Sequence, residues 1–454
     1  MSAGLRVPDP TTGDTGTMPT TRTTEDAPTE DAPTDVRPRV IWDAVRGTRD
    51  PNTSKRWIAI GVPLGAAALA AGLLTGSAGD QQGLAPAAAA AEPGLAADAP
   101  PGAPTADQPV TPGTQTPTPT GLVVPAACPN PAGWSNEQLA QLLVVPGFDA
   151  SAGWPNWLGA GVGGVFLPDG SGGLNAGAFR PGSPAFPTSP QPYVAVDYEG
   201  GPVSDHAGLI GTMPSPREQA ATMSPEQVRS LAADRAGAMQ YYGINVDYAP
   251  MADLDLGSPI VGARSYGSDP ATVVTYAGAF ADGLRDNGVL PVLKHFPGHG
   301  SADGDSHIQL ATTDPWNVLQ ARDVPVYTEL LAQPGPWMVM MGHLVVPGLS
   351  FDSETPTSVD PAAYAALREI TGFQGPVITD DLSGMKAITD RLTVPQAVVS
   401  AISAGADMAL VSGAAHYWGS VAALTEWAGN DQGKRQQLID SAVRSLTALP
   451  CGRP

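Results

Sequence analysis

The chain from about residue 128 onward predicts an α/β fold, a TIM-type (β/α)8 barrel or a close variant, and three observations carry that expectation. Short apolar runs alternate with helix-like segments, the texture of repeated βα units. Polar residues recur just after those runs, where the strands of a parallel barrel end on one common mouth. The 454-residue chain also leaves, after its first 127 residues, enough length for one such domain. An open doubly wound sheet is the alternative architecture.

Residues 1–56 read as a disordered cytoplasmic tail, opening on Thr, Pro, Asp and Glu with too little apolar content to bury. The tail ends in a basic stretch: Arg37, Arg39, Arg46, Arg49, Lys55 and Arg56. Residues 57–76 are uncharged and mostly apolar; at 1.5 Å per residue they span about 30 Å, the thickness of a bilayer's hydrocarbon core. No Lys or Arg follows until Arg180, so the positive-inside rule places the N-terminus in the cytoplasm and the C-terminal bulk outside. A cleaved signal peptide is the runner-up, though its polar leader would be far too long. A buried core helix is the other reading. Residues 77–127 form an Ala/Pro/Thr-rich linker, semi-extended, holding the domain of 128–454 away from the membrane.

Within that domain, candidate strands lie at 162–167, 193–196, 245–249, 289–293, 337–341, 376–379 and 408–411. Seven are legible, and an eighth finds no place. Between them, 225–241, 270–287, 361–370 and 394–404 read as helices. Asp197 and Glu199 follow the second run, Asp247 and Asp253 lie in or after the third, and Lys294 and His295 end the fourth. His343 follows the fifth, while Asp380 and Asp381 end the sixth. Any one of these groups is as well explained as a strand-end cap. Their recurrence at equivalent positions is the pattern an active site leaves.

The densest of these is the loop of 294–307, which holds three of the chain's six histidines, His295, His299 and His307, with Asp303 and Asp305 beside the last. Pro297, Gly298, Gly300 and Gly304 make it a loop. His295, His299, His307 and Asp305 could ligate zinc, but acid–base chemistry near neutral pH accounts for the same residues. No phosphate-binding glycine loop stands at a strand–helix junction, so no nucleotide cofactor is expected. With two cysteines and no short spacing between them, no metal is expected either. The net charge of −21 argues against a general nucleic-acid partner. Cys128 and Cys451 flank the domain; outside the cytoplasm a disulfide joining them is the expectation, and two unpaired thiols the alternative.

Lys294-His295-Phe296-Pro297-Gly298-His299-Gly300, then Asp305-Ser306-His307, resembles the signature loop of the family-3 glycoside hydrolases, in their single-barrel β-N-acetylglucosaminidase branch. Val196-Asp197-Tyr198-Glu199-Gly200-Gly201, the 245–253 segment, Arg264-Ser265-Tyr266-Gly267-Ser268-Asp269-Pro270 and Ile378-Thr379-Asp380-Asp381-Leu382 support the resemblance. It implies a barrel and a retaining, two-step mechanism without cofactor. Asp380 would be the nucleophile and His307 the general acid and base, polarised by Asp305; Asp197, Arg264, Lys294 and His295 would bind the sugar. Asp381 points the other way if the strand continues, which favours the first aspartate of the pair. Relatives of the β-glucosidase type draw a glutamate acid from a second domain, for which the residues after Gly413 leave no room.

One departure changes the charge at the sugar site. Where the branch usually carries Arg-Val-x-Arg after the Glu-Gly-Gly, this chain has Pro202, Val203, Ser204 and Asp205. The expected function is an exo-acting, membrane-anchored β-N-acetylglucosaminidase that cleaves oligosaccharide or muropeptide fragments of the cell wall outside the cytoplasm. A β-glycoside phosphorylase and a non-catalytic glycan-binding barrel are the alternatives.

Overall fold

The computed structural model describes residues 130–148, 163–171, 179 and 192–448. The expected tail (1–56), membrane span (57–76) and linker (77–127), and both Cys128 and Cys451, lie outside these residues. Among the described residues, no helix is long and apolar enough to cross a membrane.

Among the described residues, eight strands succeed one another around the curl, all in parallel pairings: β1 (Val144–Pro146), β2 (Gly164–Phe166), β3 (Tyr193–Val196), β4 (Val246–Asp247), β5 (Leu290–Phe296), β6 (Met338–Met341), β7 (Val377–Thr379) and β8 (Ala409–Val411). β2 to β7 form one six-stranded sheet in chain order, with every pair parallel. β1 and β8 pair with each other. Single bridges, Gly147 to Phe166 and Ile378 to Met408, link that pair to the two edges of the sheet. The result is a curled parallel sheet, the α/β character expected from the sequence. Where a (β/α)8 barrel predicts eight continuous ladders, however, the curl is continued at its edges by single bridges. All seven legible runs are strands, although the third has only two paired residues, and the missing eighth is β1.

Two apolar cores explain why the strands read as unbroken hydrophobic runs rather than alternating ones. One cluster takes a residue from each strand: Val145, Phe166, Tyr193, Val246, Val292, Met338, Ile378 and Leu410. Their neighbours along the strands, such as Val144, Val165, Val194, Leu293, Val339 and Val377, belong to a second and larger cluster with the helices. Side chains alternate across a strand, so the first set fills the inside of the curl and the second packs outward.

The helices start and stop where local chemistry tells them to. α1 (Asn136–Leu143) opens on a capping box of Ser135 and Gln138. α2 (Pro225–Tyr242) opens on Ser224 with proline at its first position, and Gly243 ends it at φ 87°, a left-handed conformation that suits glycine. α3 (Pro270–Asp286) and α4 (Pro361–Thr371) repeat the pattern of an aspartate cap followed by proline, with Asp269 and Asp360. α5 (Val394–Ala404) and α6 (Tyr417–Ala428) precede and follow β8, and α7 (Gln432–Ala448) is the last described helix.

Asp407 ties this last part of the chain together below the sheet. Fully buried, it accepts from Arg368 Nη2 of α4 at 2.8 Å, Arg444 Nε of α7 at 2.6 Å and the Val377 N–H at 2.9 Å. Two guanidinium groups sharing one carboxylate are tolerable in a dry setting only while it is present. Asp407→Ala should therefore cost about 3–5 kcal/mol of unfolding free energy, read from the midpoint of a chemical denaturation curve.

Candidate active site

The strand ends converge as their register requires. Val196 pairs with Asp247, Phe296 with Met341 and Met341 with Thr379, so the residues that follow each of these open on one side of the sheet. At its centre is Lys294, only 1 % exposed. Its ammonium meets the carboxylate of Asp197 and lies 2.6 Å from Glu199 Oε1. Arg264, from the turn Gly262–Arg264, lays its fork on Glu199 with Nη2–Oε1 at 2.7 Å and Nε–Oε2 at 2.8 Å. Burial would push the Glu199 carboxyl up, but the charges of Arg264 and Lys294 outweigh it and hold it down to about 2. Burial would likewise lower the Lys294 ammonium, and Asp197 and Glu199 raise it instead. Asp197, Arg264 and Lys294 are thus brought together, and Glu199, not among the expected site residues, is what joins them.

The hairpin of Tyr198–Gly200 and Val203–Ser204 folds the chain back over this quartet. Its turn depends on Gly200 and Gly201 at φ 93° and 62°; a side chain at either would strike Pro214 or Ser215. The turn delivers Asp205, whose N–H donates to the Asp197 carbonyl at 2.9 Å. Burial, and then the negative charges of Asp197 and Asp169, push the Asp205 carboxyl up to about 8, against a smaller opposing pull from Lys294. Where the resembling branch carries a permanent positive charge, this chain presents a carboxyl that is protonated at neutral pH.

His295, the fourth expected sugar-binding residue, faces a different group. Its Nδ1 lies 2.7 Å from Asp253 Oδ2 and its Nε2 3.8 Å from Asp380 Oδ2. Asp380 follows β7 and is 8 % exposed. Burial would raise its carboxyl; His295, then His343, the Asp381 N–H at 2.8 Å and His307 together hold it down to about 2. His343 is buried between Ser358 Oγ at 2.7 Å and the Asp381 carbonyl at 3.0 Å, and burial lowers it. Asp381 turns away to hold the loop after β8: its Oδ1 accepts from the N–H groups of Ser383 at 3.0 Å and Ser412 at 2.9 Å. Asp247 lies deeper, with Oδ1 accepting from the Tyr198 N–H at 2.9 Å, and burial drives its carboxyl well up.

The loop after β5 contributes the dyad. Asp305 Oδ1 accepts from both the His307 N–H at 2.9 Å and Nδ1 at 2.7 Å. These bonds outweigh a modest burial penalty and keep the Asp305 carboxyl low. His307 has a side chain 49 % exposed. Its carbonyl accepts from the Lys386 N–H and that of Ser306 from the Ala387 N–H, both at 3.2 Å, which docks the loop on the segment after Asp380. At the loop's root, His299 is fully buried and reaches Ser258 and Ser306 at 3.4 Å; burial and the neighbouring His295 take it down to about 4.

With this geometry in place, comparison with known proteins is specific. The sequence profile described as "Glycosyl hydrolase family 3 N terminal domain" matches residues 186–449. A curated relative, Beta-hexosaminidase LpqI of Mycobacterium tuberculosis, is 45 % identical over 318 residues, 66 % of this chain and 80 % of the relative. The crystal structure of a GH3 family glycosyl hydrolase from Mycobacterium smegmatis superposes with a TM-score of 0.65 at 41 % identity, covering 72 % of this chain and 99 % of that one. Beta-N-acetylhexosaminidase from Beutenbergia cavernae gives 0.63 at 27 % identity, covering 70 % and 99 %.

The raised carboxyl of Asp205 has a consequence for stability. A group whose folded pKa lies above its unfolded value costs nothing below the unfolded one, and its cost grows until the folded one is passed. Asp205→Asn should therefore raise Tm relative to the parent most above pH 8, where the ionisation cost is complete, and not at all near pH 4. Scanning calorimetry of both proteins across that range reads the difference.

Proposed function

Because the chain belongs to glycosyl hydrolase family 3, we propose that it is a retaining exo-β-N-acetylglucosaminidase acting on terminal β-linked N-acetylglucosamine of cell-wall (peptidoglycan) fragments. The chain is a glycoside hydrolase of β-hexosaminidase type; the stereochemistry, the residue roles and the substrate are the proposal. The observation that carries it is the docking of the Asp305–His307 pair on the segment just beyond Asp380.

Asp380, ionised, attacks the anomeric carbon and forms a covalent glycosyl-enzyme. His307 as imidazolium gives its proton to the departing oxygen, then as neutral imidazole takes one from the incoming water. Asp305 accepts from Nδ1, so Nε2 is the atom that carries the transferred proton, and the carboxylate stabilises the imidazolium. Asp197, Arg264 and Lys294, with His295, orient the ring through charged hydrogen bonds to hydroxyls. Arg264 and Lys294 are already engaged with Glu199, Asp197 with Lys294 and His295 with Asp253, so all four meet the sugar held in place, which lowers the ordering cost of binding. Asp205, protonated and close to Asp197, offers a hydrogen-bond donor where an arginine would bring full charge, and so favours a neutral sugar face over an anionic one. The proposed setting is a domain held outside the cytoplasm by the apolar segment of 57–76.

A second reading rests on the same dyad. An imidazole base repels phosphate less than a carboxylate does, so phosphate could replace water in the second step. A chromogenic β-N-acetylglucosaminide assayed between pH 5 and 8, with and without phosphate, separates the readings. Free sugar with net retention is the expected product; sugar 1-phosphate supports phosphorolysis, and binding without turnover supports a glycan-binding barrel. Asp380→Ala should lower kcat by about 10⁴-fold or more and abolish covalent labelling. His307→Ala should cost about 10²–10⁴-fold with a poor leaving group and much less with a dinitrophenyl one, since only the former needs a proton to depart.

A further inference from the structure

Asp253 lies beyond β4, 1 % exposed, and is surrounded by donors. Oδ1 accepts from the His299 N–H at 2.6 Å. Oδ2 accepts from the His295 N–H at 3.0 Å and from Nδ1 of the same ring at 2.7 Å. Both oxygens therefore face N–H groups, an arrangement that suits a carboxylate; an amide in its place must turn its own NH₂ against one of them. A charged acceptor at Nδ1 fixes that nitrogen as the donor, which leaves Nε2 as the atom directed at Asp380.

We propose that Asp253 is a positioning residue for the reaction at Asp380, acting through His295, whose ring it holds with Nε2 toward the nucleophilic carboxylate. This rests on the reading of Asp380 as nucleophile. The imidazole is clasped between two carboxylates, Asp253 after β4 and Asp380 after β7. Two further rings face it: His299 from the loop, with centroids 5.7 Å apart at 72°, and His343 after β6. Burial lowers both of those rings, and of the groups around Asp380 it is His295 that does most to hold the carboxyl down. Arg264 and Asp323 sense Asp253 from farther away, and Asp380 senses His307 from the mouth. With Asp253 in place, Nδ1 is held as a donor and Nε2 stays directed at Asp380; without it, the ring loses the partner that fixes its orientation and is free to turn. Asp380 then loses the neighbour that does most to hold its carboxyl down and takes up a proton at higher pH.

The experiment is the pH profile of kcat/KM for the full chain and for Asp253→Asn, together with covalent labelling of both by a mechanism-based fluorosugar. The expected result is an acid limb displaced upward by one pH unit or more, with kcat falling at least about tenfold and labelling slowed in step. Asp407→Asn, which removes charge far from the mouth, supplies a variant that loses stability; its acid limb should stay where the parent's is. If Asp253→Asn lowers Tm but leaves the limb and the labelling rate unmoved, Asp253 is structural only and the proposal fails. If the parent itself is not labelled at Asp380, the nucleophile assignment fails first. Should Asp253→Asn not fold, ¹⁵N-histidine NMR of the parent decides: His295 must keep its Nδ1 proton from pH 5 to 8, and a neutral Nε2–H tautomer there overturns the idea.

Discussion

Everything at the mouth of this sheet follows from burying Lys294. An ammonium in a dry setting costs several kcal/mol unless its charge is answered, and here Asp197 and Glu199 answer it. Glu199 is then over-supplied with negative charge for a buried carboxylate and is matched by the fork of Arg264. Two cations and two anions close the balance. The four come from β5, the residue after β3, the hairpin beyond it and the turn Gly262–Arg264, so the neutrality of the set fixes the relative placement of those segments. No member can move outward alone without stranding its partner.

That closed balance explains the behaviour of Asp205. The hairpin brings a further carboxyl over a set with no unanswered positive charge, and Asp169 adds another anion. The cheapest relief is a proton, which the raised carboxyl reflects. An arginine in the same place would meet the opposite situation, attracted by Asp197 and Asp169 and free to present its outer face to a ligand. The exchange of Arg for Asp therefore alters what the pocket displays without disturbing the charges that hold it together.

Much of this was legible in the sequence, for reasons that are physical rather than statistical. Strands buried on both faces leave apolar runs, and the first polar residue after each run marks the mouth; Asp197, Lys294, His295 and Asp380 were all found that way. The eighth strand escaped because Val144–Pro146 follows directly on the last residue of α1, Leu143, with no turn between them, and reads as more helix. Glu199 and Asp253 were seen as strand-end acids but not as members of the site. Their roles exist only through partners on other strands, Lys294 and Arg264 for one and His295 for the other, and an isolated acid after a strand looks the same as a cap.

The two catalytic candidates sit in opposite environments, and the chemistry asks for that. A carboxylate nucleophile gains from a dry, fixed setting, because water shed in advance need not be displaced during attack; Asp380 has it, with His295 and His343 supplying the countering field. An acid that must later become a base has to meet first the leaving group and then water, so it needs access and some freedom. His307 is half exposed, on a loop held by the backbone bonds at Lys386 and Ala387 and, at its far end, by the pairing of Asp303 with Thr312. Asp305 sits two residues from its imidazole on the same backbone and is bonded to both its N–H and its Nδ1. Carrying both members of the dyad on one segment keeps the proton donor polarised by a partner on its own backbone, which does not depend on the register of a carboxylate on the sheet.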